Sequence, residues 1–251
     1  MTDAYESPLP SRGSIPPPQQ RLPGTEDTAL PPERRLTWKK GVLGLAVATF
    51  ATFVFATIVA VIFAAFGNDD TDNHAFQFIA TFGGDAALVL TAYAMTAELG
   101  RPTLATFGFR PFHPSAYGWV VVAFVSYLLL AGLYTVLFNP PTEDLPEQLG
   151  ADESVLLAVV TGLFVVCIAP FVEEFFFRGF LYQAMRNSWG PMLGAVGSAF
   201  LFALIHFAPD KFVPLLILGV ALAMLFEKTG SIWPCIMLHA LNNSLAYAVS
   251  F

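Results

Sequence analysis

Val172-Glu173-Glu174-Phe175-Phe176-Phe177-Arg178 decides how this chain is read, because it sets three charged side chains among aromatics at the end of an apolar run that begins at Val155. A carboxylate near the centre of a bilayer costs at least a few kcal/mol, so acids inside a membrane span line a protein cavity and act there. Two adjacent glutamates raise that demand.

The surrounding composition makes a membrane setting the only consistent one. Of the 251 residues, 55% are hydrophobic and only 12% are charged, which marks a polytopic membrane protein. The net charge is -7 and the acids gather outside the apolar runs, so the chain offers no surface for a nucleic-acid partner. Cys167 and Cys235 both fall inside apolar runs, where a thiol is a small buried hydrophobe, and no CxxC pair or disulfide framework is present.

Upstream of the first apolar run, residues 1–36 carry prolines at 8, 10, 16, 17, 18, 23, 31 and 32 and almost no apolar periodicity. They are predicted to form a disordered proline-rich cytoplasmic tail. The apolar stretch starts too late for a secretory signal. Arg34, Arg35, Lys39 and Lys40 precede an uncharged run at 41–66, which places the N-terminus in the cytoplasm. Further runs at 75–97, 115–138, 155–178, 192–207, 212–226 and 231–251 alternate with acidic and basic loops as a membrane topology requires. The prediction is an all-α fold: a polytopic helix bundle of about seven transmembrane helices, occupying 37–251 as one integral membrane domain around an intramembrane polar cavity.

Local signals refine this picture. Pro170 is expected to kink its helix without ending it, because neighbouring helices can satisfy the carbonyl it frees. The turn Asn187-Ser188-Trp189-Gly190-Pro191 lies midway between Glu173 and His206, so an antiparallel hairpin brings those two side chains to one depth, roughly 25 Å from the turn. His239 and Asn243 lie only about 12–18 Å from Ser231, and the depths agree only if the hairpin tilts or extends past the membrane surface. Asp85, after Gly83-Gly84, reads as a buried acid paired across helices, with a proton or ion path as the alternative. A transporter using Asp85 and Glu173 is disfavoured, since no internal repeat is visible.

Three polar clusters then remain on three apolar helices. Glu174 and Arg178 are spaced i to i+4 with the glutamate first, the favourable order for an ion pair. Glu173, about 100° around the same helix, is left as the free carboxylate. His239 and Asn243, also i to i+4, share a face of the last helix. His206 stands one turn after Phe202, which is expected to pack on its ring and fix its orientation. Phe175, Phe176 and Phe177 read as packing residues, and His74 and His113, in loops, take no role. A glutamate and two imidazoles can bind Zn²⁺ with an open position, or glutamate and histidine can activate water directly while histidine and asparagine stabilise an oxyanion. Either arrangement is hydrolytic.

The ordered set Glu173-Glu174-x-x-x-Arg178, Phe202-x-x-x-His206 and His239-x-x-x-Asn243 resembles the three-motif signature of the CPBP intramembrane proteases, the family that includes the type II CAAX prenyl endopeptidases and bacteriocin-processing or immunity relatives. Lys228-Thr229-Gly230-Ser231-Ile232-Trp233-Pro234 is similar to the family's approach to its last motif, and the resemblance covers about 155–250. It implies a metalloendopeptidase-type hydrolase acting on a membrane-associated peptide or protein, with the lipid bilayer as the other partner. Glu173 and His206 would polarise the attacking water, His239 and Asn243 would hold the oxyanion, and Glu174 with Arg178 would support the site. If zinc takes part, Glu173, His206 and His239 are the implied ligands. The family's many prokaryotic members point to a multi-pass protein of a prokaryotic cell membrane, where the substrate need not be prenylated. The alternative is a non-catalytic scaffold or immunity-type protein that keeps the fold.

Overall fold

The computed structural model describes residues 36–68, 73–139 and 154–249. The predicted tail lies outside the described residues except for its last position. The regular structure among the described residues is all helical. α1 (Trp38–Ala65), α2 (His74–Ala97) and α3 (Ser115–Phe138) are uninterrupted apolar rods. α4 (Val155–Leu163), α5 (Ala169–Phe176) and α6 (Gln183–Ile205) follow as one winding stretch, with π-helical turns at Phe164–Ile168 and Phe177–Tyr182 between them. α7 (Phe212–Thr229) and α8 (Trp233–Val249) complete the chain. Large apolar side chains such as Phe50, Phe53, Leu129 and Leu163 stand exposed around the outside, the inverse of a soluble protein and the expected finish for a surface solvated by lipid.

Among the described residues, five helical stretches are long and apolar enough to cross a membrane, against the expected seven or so. Two features account for the difference. The runs at 155–178 and 192–207 belong to a single 51-residue stretch, Val155–Ile205, and α8 has only 17 residues. The winding stretch nevertheless doubles back. Gly190 has φ 80° and ψ 172°, outside the helical region and open to glycine, and Pro191 restarts the helix. A Cβ on Gly194 would stand 2.7 Å from the Arg186 nitrogen and 2.8 Å from its Cα, so the two arms of the hairpin touch backbone to backbone four residues either side of Gly190. The expected pivot is the one observed.

The hairpin also overshoots, which removes part of the conflict of depths. Arg186 Nε and Nη2 donate to the Glu227 carboxylate at 2.6 and 2.7 Å, level with the end of α7. Gly190 is therefore one further turn out, about 6 Å at the helical rise. There Trp189 packs on Trp38 with ring centroids 5.4 Å apart, and the Trp38 N–H donates to Ser188 Oγ. The same end carries Lys40 paired with Glu98 at 2.6 Å, and a 3₁₀ turn at Leu104–Phe107 strapped down through Gln183 Nε2 to the Thr106 carbonyl and Ser231 Oγ to the Arg110 carbonyl.

Pro170 behaves as its chemistry requires. In π-helical register its missing N–H would have met the carbonyl of Val165, and that carbonyl instead accepts from Asn243 Nδ2 of α8 at 2.9 Å. The core around the second π turn is aromatic: Phe176, Phe177, Phe180, Leu181 and Phe202 are buried against α1 and α2, while Tyr182, Leu218, Leu222, Ile232 and Leu238 are buried on the α7–α8 side. Gly194→Leu should lower stability by about 1–3 kcal/mol, because its clash is with backbone that cannot swing aside. Thermal unfolding in detergent should show a lower midpoint for Gly194→Leu and none for Gly118→Ala, where a Cβ meets nothing within 4 Å.

Candidate active site

One buried oxygen assembles the site. Glu174 on α5 is fully buried, and its Oε1 accepts from Arg178 Nη1 at 2.8 Å and from His239 Nδ1 at 2.9 Å. Arg178 in turn donates from Nη2 to the Gly219 carbonyl of α7 at 3.2 Å and lies over the Phe202 ring at 4.9 Å. A single carboxylate thus connects α5, the second π turn, α7 and α8. The Glu174–Arg178 pair is the one expected from the i to i+4 spacing; the third member, His239, is not evident from spacing alone. Its signal was available: a buried carboxylate with one arginine bond still has lone pairs to fill, and the nearest motif offers an imidazole.

The two histidines are held in a definite tautomer by their outer nitrogens. His206 Nδ1 donates to the Phe202 carbonyl at 2.6 Å, and the Phe202 ring sits 4.6 Å from the imidazole, the packing expected of it. His239 Nδ1 donates to Glu174. Carbonyl and carboxylate oxygens only accept, so in each neutral ring Nδ1 carries the proton and Nε2 offers a lone pair. Both Nε2 atoms lie 3.9 Å from Glu173 Oε2, which is buried and has no hydrogen-bond partner among the described residues. Two imidazole acceptors, one on α8 and one just past the end of α6, therefore meet the same carboxylate oxygen of α5, and His206 reaches Glu173 as the hairpin arithmetic requires.

The remaining residues are placed as follows. Asn243 shares the His239 face of α8, but one Nδ2 proton goes to the Val165 carbonyl and Oδ1 accepts from Asn242 Nδ2 at 3.2 Å. Asp85 sits on α2, which packs on α5, and lies within electrostatic reach of Glu173. Its Oδ2 is buried without a partner among the described residues, so the expected cross-helix pair is not made through that oxygen. No group of three or more His, Cys, Asp or Glu among the described residues is drawn close enough to hold a metal ion. Cavities of about 670, 630 and 440 Å³ are lined almost wholly by apolar side chains, and none of these three borders Glu173, His206 or His239.

The geometry separates support from chemistry in a measurable way. Arg178→Ala strips the countercharge from a fully buried carboxylate and should cost about 3–5 kcal/mol. Glu173→Gln removes a charge whose buried oxygen makes no hydrogen bond among the described residues and should leave stability unchanged or slightly raised. Paired thermal melts of the two variants in one detergent check both expectations.

Comparison with known proteins adds the following. Residues 155–245 match the family model described as type II CAAX prenyl endopeptidase Rce1-like. An uncharacterized 24.3 kDa protein of Escherichia coli is 26% identical over 131 residues, a match covering 50% of this chain and 58% of that relative. The chain thus spans little more than half of the curated relative it matches. No solved structure matches the chain.

Proposed function

We propose that this chain, whose residues 155–245 match the Rce1-like family model, is an intramembrane endopeptidase that hydrolyses a peptide bond of a membrane-associated protein or peptide, with water activated by Glu173 and His206. The observation that supports this reading is the convergence of Glu173 Oε2 with two Nε2 lone pairs at 3.9 Å. Three acceptors facing one another repel unless a donor or a cation lies among them. A separation of 3.9 Å is too long for a direct hydrogen bond and short enough for one water to reach both atoms.

In this mechanism Glu173 takes a proton from that water while His206 Nε2 orients it, so that the oxygen attacks the scissile carbonyl. His239 holds the developing oxyanion through Nε2–H once that nitrogen has taken a proton from solvent, its Nδ1–H staying on the Glu174 carboxylate. Asn243 retains a second Nδ2 proton for the same oxygen. The proton held by Glu173 returns to the leaving amine. Glu174 and Arg178 touch no reacting atom and act by holding His239 and the helices around it.

Zinc is a second means of filling the same space. Two imidazole nitrogens and a carboxylate oxygen are a donor set that zinc hydrolases use. A tetrahedral ion with ligands at about 2.0–2.1 Å puts ligand atoms roughly 3.4 Å apart, so Glu173, His206 and His239 would hold it only after drawing together by about half an ångström. A bound ion would supply Lewis-acid polarisation of the carbonyl and a more acidic water. The cytoplasmic N-terminus, supported by the basic residues before and at the start of α1, and a prokaryotic cell membrane complete the proposal.

Because no substrate is specified, the test follows the water. Purified protein in proteoliposomes is incubated with detergent-free membrane proteins of a host lacking this chain, in ¹⁸O-labelled water, and new peptide C-termini bearing one ¹⁸O are sought by mass spectrometry. Wild-type protein should generate a reproducible set, and Glu173→Gln or His206→Ala should reduce it at least 100-fold while melting normally. Labelled termini that persist in both variants, or arise with neither variant nor wild type, would overturn the proposal. A chelator series on the active sample decides between water alone and zinc.

A further inference from the structure

The cavity of about 670 Å³ lies between α3 and α7, with Val196 of α6 also on its wall, away from the site residues. Its interior is apolar, built by Val122 and Leu130 of α3 and by Ile217, Val220 and Met224 of α7. One end is different. There Lys228 places its ammonium over the Trp119 ring at 4.7 Å, and both residues line the cavity. The neighbouring acid, Glu227, is already held by both donors of Arg186 and by the Tyr182 hydroxyl. Lys228 is exposed, and among the described residues its ammonium makes no ion pair with a carboxylate.

We propose that this groove binds one anionic phospholipid, its phosphate on Lys228 and an acyl chain along the α3–α7 wall. Three features select that occupant over a generic apolar one. The wall from Lys228 to Leu216 rises by about 18 Å, close to the roughly 15 Å of hydrocarbon in one leaflet. Lys228 and Trp119 stand at the end of the bundle that also carries Lys40, Arg110 and Arg186, the level at which Trp and Lys meet headgroups. The charge at the mouth is a single positive one without a counterion among the described residues, complementary to a phosphate and indifferent to a neutral sterol or hydrocarbon. The groove further shares α7 with Gly219, whose carbonyl receives Arg178, so a seated chain braces the helix on which the arginine rests.

Native mass spectrometry of the full chain, with phosphatidylglycerol or phosphatidylcholine added to the detergent-purified protein, tests this. Wild type should retain one phosphatidylglycerol in preference to phosphatidylcholine. Lys228→Gln should lower that preference about fivefold, the equivalent of about 1 kcal/mol for one lysine at an anionic surface. Ala221→Trp, which fills the groove, should abolish retention of either lipid. Equal retention of the two lipids by wild type, or an unchanged preference in Lys228→Gln, would leave annular lipid only and overturn the proposal. So would a co-purifying peptide mass in place of a lipid. Lys228→Gln carries the test even if Ala221→Trp fails to fold, because Lys228 projects from the surface.

Discussion

A carboxylate with no exposed surface, in a protein bathed by hydrocarbon, constrains everything around it. Glu174 cannot be left bare, and its requirement for donors draws Arg178 along its own helix and His239 from α8 to within hydrogen-bond distance of one oxygen. Arg178 carries the same demand outward to the Gly219 carbonyl and the Phe202 ring. The catalytic geometry proposed for Glu173, His206 and His239 is a consequence of this desolvated pair: His239 points its Nε2 toward Glu173 because its Nδ1 is engaged behind it.

Phe202 extends the constraint to the third helix. Its carbonyl holds His206, its ring faces the same imidazole, and its other neighbours are Phe177, the guanidinium of Arg178 and, at 5.9 Å, His239. An aromatic at this point packs on both imidazoles without adding another hydrogen-bonding group to satisfy. The π turns on either side of α5 work in the same direction, since each shifts the phase of the helix and so sets which way Glu173 and Glu174 face.

Much of this was legible in the residues. Apolar runs and loop charge disclosed the helices, the i to i+4 spacing disclosed the Glu174–Arg178 pair, and the position of Gly190 midway between Glu173 and His206 disclosed that those two meet. What stayed hidden depends on tertiary contacts with no sequence period. The bond from Asn243 to the Val165 carbonyl exists only because Pro170 lies five residues further on in a π-helical register, and π register leaves no hydrophobic pattern of its own. The span count differed because a break at one glycine does not end a helical stretch, and because a 17-residue α8 is shorter than an ordinary crossing. Asp85 was visible as an anomaly, and the structure sharpens it to one buried oxygen beside α5 without explaining it.

The hairpin about Gly190 has a consequence for how such a chain can change over time. Its two arms behave as calipers whose tips carry Glu173 and His206. An inserted residue in one arm turns that tip by about 100° and advances it by about 1.5 Å, so a single insertion or deletion between Glu173 and His206 disarms the site although it falls far from any reacting atom. Only whole pairs of turns, about seven residues added to both arms together, keep the tips opposed. Among descendants of one ancestor, the length of this segment should therefore be invariant or change in large symmetric steps.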